Sequence, residues 1–156
     1  MKKILIALFV IVQVSFLMAP SKMNAQTEET GFSREQGYFV RPELYGAVLA
    51  EFGYQINPNL QFSVGAGVEL ADEAAIPELV LGARAYASDK KWTVFFDYHL
   101  GLLLLGGVAL PDHRLSVGPS YKNFDFGAGI MYMNVDGVGV WGPCLNIGFN
   151  FRFPKK

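Results

Sequence analysis

Between Leu60 and Leu70 the chain alternates without a break. The odd positions are Gln61, Ser63, Gly65, Gly67 and Glu69; the even ones are Leu60, Phe62, Val64, Ala66, Val68 and Leu70. Successive side chains of a β-strand point to opposite faces, so this segment is a strand with one polar and one apolar side. The same period of two runs from about Glu43 to Phe153. A helix would repeat its apolar positions at three and four residues instead. The fold class expected is therefore all-β, built from two-faced antiparallel strands.

The segment before this pattern has a different character. Lys2 and Lys3 precede an apolar run from Ile4 to Met18, and Ala25 offers a small residue ahead of Gln26. This is the layout of a cleaved secretory signal peptide over residues 1–25, leaving one domain over 26–156. Fifteen helical residues cover only about 22 Å, short of a ~30 Å hydrocarbon core, so a spanning helix is disfavoured. Cys144 is the only cysteine, which excludes an internal disulfide and a cysteine-rich metal site. Of thirteen basic residues, Lys2, Lys3 and Lys22 lie in the leader, with none of the fourteen acidic ones. Ten bases against fourteen acids leave a net charge of −4, which argues against a nucleic-acid partner.

Turn chemistry divides the remainder. Strands are expected over 43–55, 60–70, 78–88, 92–102, 113–121, 124–133 and 143–153. Asn57-Pro58-Asn59, Ser88 to Lys91 and Lys122-Asn123 are the short turns between them. The segments 71–77, 103–112 and 134–142 are longer connections. Seven strands with alternating short and long connections leave the parity odd. The eighth and first strand is expected at Phe32 to Val40, turning back near Arg41-Pro42, after a polar extension over Gln26 to Glu35 that can order against the barrel mouth.

Two arrangements share this alternation: a soluble lipocalin-like barrel with its apolar face inward, and a membrane barrel with that face outward. Only 17% of the chain is charged, low for a surface in water. The polar face is rich in glycine, as a crowded narrow lumen requires. Tyr54, Trp92, Tyr121, Phe124 and Phe153 fall at strand ends beside the short turns, as in an interfacial girdle. The expectation is an eight-stranded transmembrane barrel. Phe62, Val64, Trp92, Phe96, Tyr98, Phe126, Ile147, Phe149, Phe151 and Phe153 face lipid. Glu51, Glu69, Arg84, Asp97, His99, Arg114, Asp125 and Arg152 form a polar network in the lumen, joined by Glu43, Glu78 and Lys122.

With these features the chain resembles small Gram-negative outer-membrane barrels of the OmpX and OmpA-transmembrane-domain kind, over about residues 32–153. The closing strand from Leu145 to Phe153 is similar to their C-terminal insertion signal, which normally finishes on an aromatic; here Pro154-Lys155-Lys156 follow. The resemblance implies a porin-like up-and-down barrel in the cell outer membrane, with the bilayer and the barrel-insertion machinery as partners and a monomeric state. It does not imply one activity, since members include adhesins, anchors and lipid-modifying enzymes.

Chemistry is sparse. His99 shares a face with Asp97, and an Asp–His base pair is one reading. Neighbours two apart on a strand stand about 7 Å apart, so membership of the lumen network is the plainer one. His113, beside Asp112 at a loop edge, reads as solvated. Gly65-Ala66-Gly67 lies mid-strand, where small residues make lumen space, not a phosphate loop. Asp72, Glu73 and Asp136 are loop acids. Catalytic, cofactor and metal residues are expected to be absent. Leu102 to Leu110 is too apolar for an ordinary loop and favours a longer strand with a shorter turn. Val138, Val140 and Trp141 either form an exposed tip or continue a strand pair. The function expected is structural or surface-interacting, with a narrow channel or a soluble barrel holding an apolar ligand as alternatives.

Overall fold

The computed structural model describes residues 32, 34–71, 74–135 and 137–154. The leader at 1–25, most of the polar extension, and Asp72, Glu73 and Asp136 lie outside them. Every regular element among the described residues is a strand: β1 (Gly37–Tyr45), β2 (Ala47–Asn57), β3 (Leu60–Ala71), β4 (Ala74–Tyr86), β5 (Trp92–Leu105), β6 (Val108–Tyr121), β7 (Phe124–Val135), β8 (Val138–Phe149) and β9 (Phe151–Pro154). From β1 to β8 each pairs antiparallel with the next, and β1 closes the ring by pairing with β2 on one edge and with β8 and β9 on the other.

β8 and β9 are one strand. Val40 opposes Phe151 and Glu43 opposes Gly148, so the register is unbroken across Asn150. The gap faces Arg41 and Pro42, and Pro42 has no N–H to give to the ladder. The barrel therefore has eight antiparallel up-and-down strands.

The eight-strand count agrees with expectation, but the reasoning behind it needs two corrections. The first strand is Gly37–Tyr45, not 32–40, and Arg41-Pro42 lies in its middle. The chain reverses instead at Gly46, whose φ of +70° is a conformation that glycine adopts without strain. Second, the expected long connections are not there. β3 and β4 are separated by 72–73, β5 and β6 by Gly106-Gly107, and β7 and β8 by 136–137. Ala87 to Lys91 is the longest link. The apolar run Leu102 to Leu110 is a strand pair with a two-glycine turn, and Val138 to Trp141 continue β8.

The two ends of the barrel differ. One, here the terminal end, carries the start of β1, the end of β9 and the turns before β3, β5 and β7. The other, the hairpin end, carries the remaining turns. Along β5, Trp92, Val94, Phe96, Tyr98, Leu100, Leu102 and Leu104 are exposed, while Phe95, Asp97, His99, Gly101 and Leu103 are buried. Phe62, Val64, Phe126 and Phe149 are likewise exposed on the outside; Ile147, Phe151 and Phe153 are half-buried. Because Phe62, Phe96 and Phe149 point outward, the alternative of an apolar ligand held inside by these rings is overturned.

Candidate functional site

The lumen is where the sequence concentrates its charge, and each strand contributes through its inward phase. Three layers follow one another along the axis.

The middle layer is centred on Arg84 of β4. Its guanidinium bonds Asp97 Oδ2 at 2.7 Å and Asp125 Oδ2 at 2.5 Å, and also pairs with Glu43. Arg41 pairs with Glu51 and reaches Glu43 Oε2 at 3.3 Å. Asn146 Nδ2 donates to Asp97 Oδ2 and Ser116 Oγ, both at 2.9 Å; Asn150 Nδ2 and the Tyr86 hydroxyl donate to Asp125 Oδ2 at 2.8 and 3.1 Å. His99 Nε2 lies 3.1 Å from Glu51 Oε1 and 3.5 Å from Asp97 Oδ2. The Asp97–His99 pair is thus closer than strand spacing alone suggests, because both side chains lean into the same crowded space.

The layer toward the hairpin end is centred on Arg114. It bonds Asp112 Oδ2 and Glu78 Oε1 at 2.7 Å each, lies 3.6 Å from Glu69 Oε2, and donates to the Tyr45 carbonyl at 2.5 Å. An apolar cluster of Tyr45, Ala47, Leu49, Val80 and Cys144, with Met131 against it, packs beside this layer.

The layer at the terminal end holds Arg34 and Arg152. Arg34 precedes β1 and lies in the barrel mouth, where it donates to the carbonyls of Ser88 and Lys90 and to Ser120 Oγ. To this extent the polar extension does order against the mouth.

Burying this much charge demands pairing, and the middle and hairpin-end layers supply it. Each lumen arginine also has a ring beside it: Arg34 over Tyr86, Arg41 over Phe39, Arg84 over Phe95 and Arg114 over Tyr45. The inward glycines make room for these groups. A Cβ at Gly82 would stand 2.7 Å from His99 Nε2, one at Gly127 2.7 Å from Phe95 Cζ, and one at Gly65 2.8 Å from Glu51 Cγ.

Of the residues expected in the lumen, Glu43, Glu51, Glu78, Arg84, Asp97, His99, Arg114 and Asp125 are buried there, and Glu69 and Arg152 are partly so. Lys122 is not: it sits in the β6–β7 turn at φ 54°, exposed, with its ammonium over the Tyr121 ring. Asp112, expected at a loop edge, is fully buried against Arg114. His113 is no solvated loop residue; it lies within β6 facing outward, its Nδ1 2.7 Å from the Tyr98 hydroxyl. Sequence reading missed Arg41, hidden in a supposed turn, and the rings Phe39, Tyr45 and Phe95, which interrupt a face expected to be polar. The parity of their positions is the signal that finds them.

Glu43, Glu51 and His99 come from three strands, and one ligand atom of each lies within 4.8 Å of the others. Spacing in the sequence could not reveal this. The donor set is poor for a cation, because Arg41 and Arg84 already hold these carboxylates and Arg41 Nη2 stands 3.5 Å from His99 Nε2.

Outside, two aromatic rows mark the two ends. Trp92 opposes Tyr121 with ring centroids 4.6 Å apart, and Tyr121 opposes Phe124. Near the hairpin end His113 opposes Tyr132 and Tyr132 opposes Trp141. The first row was legible beside the short turns; the second depends on register.

No protein-family model and no curated protein matches the sequence. Among solved structures, the crystal structure of the N-terminal β-barrel domain of Pseudomonas aeruginosa OprF is similar. The TM-score is 0.47 at 15% identity, covering 74% of this chain and 96% of that one.

Proposed function

We propose that this chain is an integral outer-membrane barrel, monomeric and non-catalytic, that serves as a structural or surface-interacting element with a lumen closed by ion pairs. The observation that carries this reading is the inversion of the two faces. Arg84, Arg114, Asp97, Asp125 and His99 are buried, while Phe62, Trp92, Phe96, Tyr98, Phe126 and Trp141 are exposed. In water such an exterior is an aggregation liability; against lipid tails it is what the solvent requires. Aromatic rows at the two ends fit the two interfaces of a bilayer. The bilayer and the machinery that inserts barrels are the partners this implies.

Closure of the lumen follows from size. An eight-stranded barrel has just enough interior for side chains, and here arginines, carboxylates and rings occupy it. His99 is fully buried inside that packing and faces away from the outer surface, which supports a role without catalysis. The test is cell fractionation followed by electrophoresis with and without boiling. Recovery in the outer-membrane fraction with a heat-dependent mobility shift is expected. A soluble protein with one mobility overturns the reading, and discrete single-channel openings overturn the closed lumen.

A further inference from the structure

The lumen arginines are not alike. Arg41, Arg84 and Arg114 each pair with two or three carboxylates. Among the described residues Arg34 donates only to neutral oxygens: Ser88 O at 3.2 Å, Lys90 O at 2.9 Å, Ser120 Oγ at 2.9 Å and Lys122 O at 3.4 Å. Nε, Nη1 and Nη2 of Arg152 are all buried and have no hydrogen-bond partner among the described residues. Both guanidiniums meet the same ring, Phe32, at 5.2 and 6.0 Å from its centroid. Two cations thus share one end of the lumen, their faces against aromatic rings and the donor edge of Arg152 uncommitted. Asp125 is held through Oδ2 by Arg84, Tyr86 and Asn150, and its Oδ1, though unpartnered, makes no ion pair with Arg152. The acid excess of the middle layer eases the charge at a distance, but it gives Arg152 no acceptor.

We propose that Arg34 and Arg152 form an anion-binding site at the terminal mouth of the barrel, taking a phosphate or carboxylate group. A planar guanidinium fork matches both, and a buried cation without an acceptor strongly favours an anion that supplies one. The anion comes either from solution or from the acidic segment of this chain that includes Glu28 and Glu29.

Inorganic phosphate is the probe. The unfolding midpoint of the folded full chain in detergent is followed as phosphate replaces chloride at constant ionic strength. A rise of about 2–4 °C is expected, growing with the logarithm of phosphate concentration. R152Q removes the rise while keeping the heat-dependent mobility; R34Q serves if that variant does not fold. A rise in the natural sequence identifies a solution anion. A rise seen only in E28Q/E29Q identifies the chain's own carboxylates as occupant, and supports the site equally. A midpoint indifferent to phosphate in both overturns it. This readout does not depend on where the protein resides in the cell.

Discussion

Arg84 and Asp97 face each other directly across the β4–β5 ladder, and Arg84 Nη2 bonds Asp97 Oδ2 at 2.7 Å with neither side chain exposed. The same guanidinium also holds Glu43 and Asp125, so three carboxylates depend on one cation. Removing the cation leaves them buried and unpaired. Arg84→Ala is expected to cost about 3–5 kcal/mol, read as a lower urea or thermal midpoint, without opening a large conductance. An unchanged midpoint would count against a packed lumen.

Gly101 and Gly142 separate the need for space from the presence of glycine. A Cβ at Gly101 would stand on Oδ1 of Asp112 and Oε1 of Glu78, two carboxylates that Arg114 pairs with, whereas one at Gly142 meets nothing within 4 Å. Gly101→Ala is expected to destabilise by about 1–3 kcal/mol. Gly142→Ala should stay within about 0.5 kcal/mol of the parent, and equal losses in the two variants would refute the crowding argument.

Phe96 projects from the middle of the outward face of β5. If that face meets lipid, Phe96→Arg costs roughly 2–4 kcal/mol and lowers the yield of folded protein in vesicles. Asp89→Arg, in the exposed β4–β5 turn, should fold as the parent does. Similar yields for both would contradict an outward apolar band.

Tyr98 and His113 form a polar contact on the same outer face, hydroxyl to Nδ1 at 2.7 Å. Tyr98→Phe keeps the ring and removes the bond. A loss of about 0.5–1.5 kcal/mol is expected, together with a changed nitrogen resonance for His113. An unmoved His113 resonance would mean that the pair does not form in solution.

Much of this barrel was legible because strand side chains alternate, so burial on one face writes itself into the sequence. The inward set from Glu51 to Asp125 and the outward set from Phe62 to Phe149 were both read that way. The turns were legible only where geometry disturbs the alternation or turn residues mark it. A two-residue hairpin moves the inward phase from odd to even positions: inward residues are odd on β3 (Gln61, Glu69) and even on β4 (Glu78, Arg84). The turn at Gly46 has three residues, since Leu44 opposes Val48, and there the phase passes through unchanged. That is why β1 was misplaced and Arg41 was assigned to a turn. Of the long connections, 103–112 was marked as shorter by its own apolar run, whereas the glycine-rich 134–142 resembles a loop until its partners across the ladder are known.

By itself the sequence determined the all-β class, the division into polar and apolar faces and the need for glycine on one of them. These follow from the two-residue period and from side-chain volume, which are local properties. Only the tertiary structure decided which charges meet. Glu43, Glu51 and His99 converge from three strands, Arg84 on β4 gathers acids from β1, β5 and β7, and Arg34 and Arg152 share a mouth with no carboxylate in ion-pair contact among the described residues. Register and ring closure set those distances, and both arise from contacts far apart in the chain.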